Sequence, residues 1–249
     1  MQWSLNMQFN RKSEIFCANL YIISDYFINK DYLILEKFLG VNEKIAYGNL
    51  LSVGRKREYL FGRYAAKRSV LTHFNVGDIQ DIRDIQTLSG IFNYPILSLP
   101  KNTDNLSVSI SHSTQMIIAI TFSEKHPVSV DTEIFSIENT NKINDIILQV
   151  EKDILSSLDI TKEIGYTLLW TSKESLSKII RTGLTLPLET MEINNIYKEE
   201  GFYYCEFKLF IQYKTVSWII NNNIITVCMP RRSNLNYQNL KKEIECCAI

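Results

Sequence analysis

Three stretches hold side chains that could act together on a phosphate. Asp131 and Glu133 lie two apart in Val128-Ser129-Val130-Asp131-Thr132-Glu133, and alternate side chains of an extended strand share a face. In Trp170-Thr171-Ser172-Lys173-Glu174-Ser175-Leu176-Ser177-Lys178, the four-residue steps Trp170, Glu174, Lys178 fall along one face of a helix. Ser111 and His112 close the alternating run Leu106 to His112. Asp131, Glu133 and Glu174 make a hard, all-oxygen set. Such a set suits magnesium, which takes one or two protein carboxylates with waters and substrate phosphates. Each feature alone has a plainer reading: solvated strand-end carboxylates, a surface Glu–Lys pair beside a core Trp, a satisfied core histidine. Ser111 also lacks the strand-to-helix glycine elbow of a triad nucleophile.

A cationic cluster lies upstream. Arg55 to Arg68 carries six positive charges in fourteen residues, with Leu60, Tyr64, Ala65, Val70 and Leu71 as its apolar stripe. Arg63 and Lys67, four apart, can share another face. A solvated face is one reading and an anion site the other.

Several elements must position these groups. Glu14 to Ser24 reads as a strand, rich in β-branched and aromatic residues. Asp31 to Phe38 and Asn42 to His73 are helix-like, with a break near Val53-Gly54. Asp78 to Pro100 is turn-rich and irregular, punctuated by Gly90, Pro95 and Pro100. Leu106 to His112 and Met116 to Phe122 form a hairpin through Ser113-Thr114-Gln115. After the polar linker Ser123 to Pro127 come a strand at Val128 to Glu133 and helices over Asn139 to Ser157. A longer helix follows, N-capped by Thr161, reaching Arg181 and ended by Gly183. Phe202 to Met229 is strand-rich, turning at Asn221-Asn222-Asn223, and Arg231 to Ile249 is a loose tail or short helix. Each half thus runs strand, helices, a charged amphipathic helix, then a hairpin. An internal duplication is expected, with residues 1–125 and 126–249 as its halves and a ligand cleft between them.

Composition narrows the classes. The chain has 249 residues, 45% hydrophobic, enough for one large domain or two small ones. Its 27 basic and 27 acidic residues balance, which argues against bulk nucleic-acid binding. Cys17, Cys205, Cys228, Cys246 and Cys247 show neither zinc-site nor disulfide-scaffold spacing. No apolar run reaches about 18 residues, the rough minimum for a membrane span. The N-terminus lacks the order of a signal peptide. A soluble protein in the reducing cytoplasm is expected, with no membrane partner.

Taken together the motifs are specific. SISHS at 109–113, VSVDTE at 128–133 and WTSKESLSK at 170–178 occur in that order, with GRYAAK at 62–67 before them and KIIRTGLTLPLETMEI at 178–193 after. From Arg55 to Ile193 the chain resembles the phosphopantetheinyl transferases, closely those of the Sfp type. The resemblance implies an α+β fold, a pseudo-dimer of two similar halves with the active site in the cleft between them. It implies transfer of the 4′-phosphopantetheine arm from coenzyme A to a serine of an apo acyl- or peptidyl-carrier protein. Asp131, Glu133 and Glu174 would hold Mg2+, with Glu174 also the base, acting directly or through a metal-bound water, and Lys178 beside the phosphates. Ser111 and His112 would hold the 3′-phosphate, with Arg57, Arg63 and Lys67 as candidates for the adenosine-phosphate end. A monomer serving a broad range of carriers is expected. Two positions depart from the family pattern: Ser129 where glycine is common, and Asn93-Tyr94-Pro95 where a glycine-cation-proline element is expected. Tyr94 replaces a lysine that binds phosphate in some members. Two other readings compete. A magnesium-dependent hydrolase would cleave coenzyme A or a related nucleotide without a carrier. A non-catalytic binding module would be expected to lack Glu174 or Lys178.

Overall fold

The computed structural model describes residues 1–24, 32–74, 79, 81–100 and 105–247. The element starts expected at Asp31 and Asp78, and the last two residues of the tail, lie outside the described residues.

The first half contains β1 (Gln2–Arg11), β2 (Glu14–Ser24), a 3-10 turn at Tyr32–Phe38, α1 (Val41–Gly48), α2 (Val53–Leu71), β3 (Gln86–Ser89), β4 (Pro95–Ser98), β5 (Leu106–His112) and β6 (Met116–Ser123). The second contains β7 (Ser129–Ile134), α3 (Ile137–Ile143), α4 (Gln149–Ser156), α5 (Lys162–Ile179), β8 (Ile193–Glu199), β9 (Phe202–Phe207), β10 (Tyr213–Ile220) and β11 (Asn223–Pro230). Last come β12 (Asn234–Leu235) and α6 (Tyr237–Cys247).

Two antiparallel five-stranded sheets, β12-β1-β2-β6-β5 and β7-β11-β10-β9-β8, share one apolar core. Strand alternation sorts each side chain to a layer. Ala18, Leu20 and Ile22 of β2 face the shared core, together with Val130 of β7 and Ile225 and Val227 of β11. Tyr21 and Ile23 face the other way, onto Leu60, Phe61, Ala65 and Ala66 of α2. Ile224 and Cys228 likewise meet Leu168, Leu169 and Leu176 of α5. The layers therefore run helix, sheet, sheet, helix, and the fold is α+β.

The duplication is visible in topology. β2 leads through α2 to the β5–β6 hairpin, whose second strand returns antiparallel to β2; β7 leads through α5 to β10–β11, and β11 returns antiparallel to β7. A second trace is a pair of buried charges. Lys67 of α2 pairs with Glu43 at 2.7 Å and Lys173 of α5 with Glu151 at 2.8 Å, all four side chains fully buried. Each glutamate closes the first turn of a short helix, accepting from the amide of Gly40 or Leu148, and each accepts from a strand amide, Thr87 or Ile193. The same four-part lock occurs once per half. We propose the division between the halves at residues 125–126, with β12 crossing back to pair with β1.

The helix-like reading up to Phe38 is met by the 3-10 helix Tyr32–Phe38, and the short-helix reading of the tail by α6, with Glu243 accepting from the amide of Asn6. Two expectations are corrected. The stretch read as irregular contains the β3–β4 hairpin. Gly183 is not the cap of α5. Arg181 takes the left-handed conformation at φ 59°, and the amides of Arg181 and Thr182 bond back to the carbonyls of Lys178 and Ser177. β1 and β8 were not anticipated, although Leu5, Met7 and Phe9 carry the alternation of a strand and are fully buried.

His126 fastens the crossing between halves. It is 2% exposed, its ring lies 4.9 Å from Phe9 and 4.8 Å from Phe16, and Nε2 is 2.7 Å from Ser233 Oγ. Burial, aided by Arg11, pushes its pKa down from 6.5 to about 4. The folded state thus holds the neutral ring, and below pH 6.5 the unfolded chain takes the proton first. Stability should fall between pH 6.5 and about 4, by about 3 kcal/mol in all. Denaturant titrations of wild type and His126→Gln at pH 7 and pH 5 check this: the wild type should lose more between the two. Equal losses would refute it.

Candidate active site

β7 and α5 supply the chemical groups. Alternation turns Val130 into the shared core and sends Ser129 and Asp131 toward α5. Ser129 Oγ donates to the carbonyl of Ser175 at 2.6 Å, so the residue standing where glycine is common pins β7 to α5. Thr161 caps the start of α5 through the amide of Ile164, as expected. Thr171 is fully buried and bonds Thr226 of β11 at 2.7 Å, fixing the helix rotation that aims Glu174 and Lys178 at Asp131.

Asp131 is the centre of the site and is 1% exposed. Its Oδ1 accepts from Ser111 Oγ at 2.6 Å and from Lys178 Nζ at 2.6 Å, while Lys178 also reaches the carbonyl of Val130 at 3.1 Å. Its Oδ2 is buried without a hydrogen-bond partner. Glu174 lies beside Asp131; burial first, then the Asp131 charge, raises its pKa to about 8. Burial and Asp131 also raise Glu133 to about 7. Three carboxyl groups are thus crowded against one ammonium, with two of them reluctant to ionise. Among the described residues no group of three His, Cys, Asp or Glu side chains stands in metal-ligating geometry. The donor chemistry and the orphaned Asp131 oxygen nevertheless suit a hard cation, which would relieve the mutual repulsion.

Glu174 and Lys178 open onto a cavity of 260 Å3 between the halves, walled by Phe92, Tyr94, Pro95, Ser109 and Ile110 on one side and by Ser177, Arg181, Gly183 and Leu184 on the other. Glu133 faces a different, mostly apolar hollow of 300 Å3, lined by Ile143, Ile146 and Trp170 among others. Trp170, read as a packing anchor, does pack against the α5 core, and it also walls this hollow beside Glu133.

The other candidates separate. Ser111 is committed to Asp131, while the next residue of the strand, His112, points away toward Glu58 at 3.9 Å and is half exposed. The two do not form one phosphate grip here. Arg63 lies over the Tyr59 ring at 4.4 Å, and Arg57 is half-buried on α2. Lys67 is corrected outright. Its ammonium is spent on Glu43 and the carbonyls of Ile82 and Ile85, inside the fold, and offers a coenzyme nothing. Two cleft residues, Ser109 and Arg181, were not singled out; Ser109 Oγ accepts from the Val130 amide at 3.1 Å and joins the halves.

Residues 127–228, which carry Asp131, Glu133, Glu174 and Lys178, match the model of the 4′-phosphopantetheinyl transferase superfamily. The matched segment is similar to that superfamily over 102 of the chain's 249 residues. A solved structure, a holo-(acyl-carrier-protein) synthase from Bacillus anthracis in complex with CoA (3′,5′-ADP), is 24% identical with a TM-score of 0.35, over 48% of this chain and 96% of that one. No curated protein matches the chain. The matched segment ends within β11, so it contains β7 and α5 entire. Ser111, His112 and the α2 cations lie outside it.

Proposed function

We propose that the chain transfers the 4′-phosphopantetheine arm from coenzyme A to a serine of an apo acyl- or peptidyl-carrier protein. The observation that carries this reading is the convergence of Asp131, Glu174 and Lys178 at the mouth of the inter-half cleft, within the matched segment. The serine oxygen attacks the pantetheine-side phosphorus of the pyrophosphate. The bond from that phosphorus to the bridging oxygen breaks, and adenosine 3′,5′-bisphosphate leaves with the electron pair.

Glu174 accepts the serine proton. Its carboxyl opens onto the cleft beside Lys178, where a carrier serine can come within hydrogen-bond reach of it. Lys178, held by Asp131 and the Val130 carbonyl, presents a fixed positive charge where the pyrophosphate must lie. Asp131, Glu133 and Glu174 would hold Mg2+, which when bound neutralises the pyrophosphate and the clustered carboxylates. Ser111 keeps Asp131 oriented.

We read the chain as Sfp-type and monomeric, since one chain supplies both walls of the cleft. Cys17, Cys205 and Cys228 are free thiols and no described helix is long and apolar enough to cross a membrane; a reducing cytoplasm suits such a chain. The test mixes the protein with Mg2+, coenzyme A and an apo carrier protein and weighs the carrier. A mass gain of one phosphopantetheine group is expected. Several unrelated carriers left unchanged, or coenzyme A cleaved with no carrier present, would refute the transferase reading.

A further inference from the structure

Among the described residues, five non-glycine residues hold a left-handed backbone: Lys12, Phe92, Arg181, Glu200 and Asn221. Lys12, Glu200 and Asn221 sit in the two-residue turns of β1–β2, β8–β9 and β10–β11, where such a conformation is demanded. Phe92 and Arg181 do not, and both line the inter-half cleft. Arg181 follows the end of α5 at φ 59°, a place where glycine carries no steric penalty and a long side chain does. An unfavourable residue retained at a cleft wall points to a use for its side chain.

That side chain is placed for one. The guanidinium lies 4.3 Å from the centroid of the Tyr94 ring, so a cation from the second half rests on an aromatic from the first, across the cleft mouth. Among the described residues lining this cavity the cations are Lys178 and Arg181. Lys178 is already engaged by Asp131 and a backbone carbonyl. Among the described residues Arg181 has one acidic partner, Glu124, at 3.4 Å with both side chains about half exposed, a weak pair that an incoming anion can displace. Its planar fork suits two phosphate oxygens at once.

We infer that Arg181, steadied by Tyr94, binds a phosphate of the nucleotide co-substrate at the cleft mouth, one helical turn beyond Lys178. This rests on the coenzyme A reading above. Arg181→Gly is the informative variant, because glycine prefers the backbone that Arg181 is forced into, so the fold should melt no earlier than wild type. Its dissociation constant and KM for coenzyme A should rise about tenfold, the loss of roughly one charge-assisted contact. The turnover number should stay within about twofold, and the binding penalty should shrink as salt is raised. Arg181→Lys should fall between the two, and Glu124→Gln, by freeing the guanidinium, should tighten coenzyme A. Calorimetric titration with coenzyme A and with adenosine 3′,5′-bisphosphate, beside steady-state kinetics, reads all of these. If wild type binds coenzyme A and Arg181→Gly binds it equally, the Arg181 assignment is overturned and the transferase reading stands. If wild type binds neither probe, both are overturned.

Discussion

Glu174→Gln should reduce carrier modification by roughly 10²- to 10⁴-fold, the usual worth of a positioned base, and should do so without unfolding the protein. The amide keeps the length and shape of the side chain but accepts no serine proton. Stability should hold or improve, because the wild-type carboxyl lies buried against Asp131 with Glu133 nearby, and this surrounding pushes its pKa to about 8. Removing one of three crowded carboxyls relieves repulsion that the fold alone does not satisfy. Two measurements check the pair of expectations: the rate of carrier mass gain at saturating coenzyme A, and the melting temperature of the same preparation. A variant that transfers at the wild-type rate would remove Glu174 from the role of base. One that loses activity and also melts far earlier would show that Glu174 holds the fold.

The largest stability effect is expected at the neighbouring residue. Lys173→Met should destabilise the protein by about 3–5 kcal/mol, a large share of the roughly 5–15 kcal/mol that holds a domain folded. For a chain of this size that is a fall in melting temperature of about 10 °C. The reason lies in what remains. Glu151 is fully buried, and without the ammonium 2.8 Å away its charge has only the amides of Leu148 and Ile193 to face. Adding Glu151→Leu to Lys173→Met should recover much of the loss, since apolar replacement of a whole buried pair is often neutral. Lys67→Met should behave alike, because Glu43 would be left with the amides of Gly40 and Thr87. Denaturant titration at pH 7 measures each variant; a loss below about 1 kcal/mol at Lys173 would mean that water or a rearranged partner reaches Glu151.

Lys173 and Glu174 show how adjacent residues divide. Successive helix positions point about 100° apart, so the lysine turns inward to Glu151 while the glutamate turns to Asp131 and the cleft. Sequence spacing foresaw that Glu174 and Lys178 share a face. It offered no sign that Lys173 is sealed in the core, since a lysine is ordinarily read as solvent-facing. The same blindness misplaced Lys67.

What the sequence alone determined was whatever depends on residues close along the chain. Strand alternation placed Asp131 and Glu133 toward one side, helical spacing aligned Glu174 with Lys178, Thr161 marked the start of α5, and the motifs together carried the family resemblance. The duplication, too, was legible as a repeated order of elements. Tertiary structure alone decided which charges meet. Lys67 finds Glu43, 24 residues earlier, Arg181 rests on Tyr94 from the other half, and Ser111 turns to Asp131 while His112 turns away. Local periodicity is set by backbone geometry and so can be read from neighbours. The partner of a charge depends on how the layers dock and which groups docking removes from water, and neither is written in the spacing of one segment.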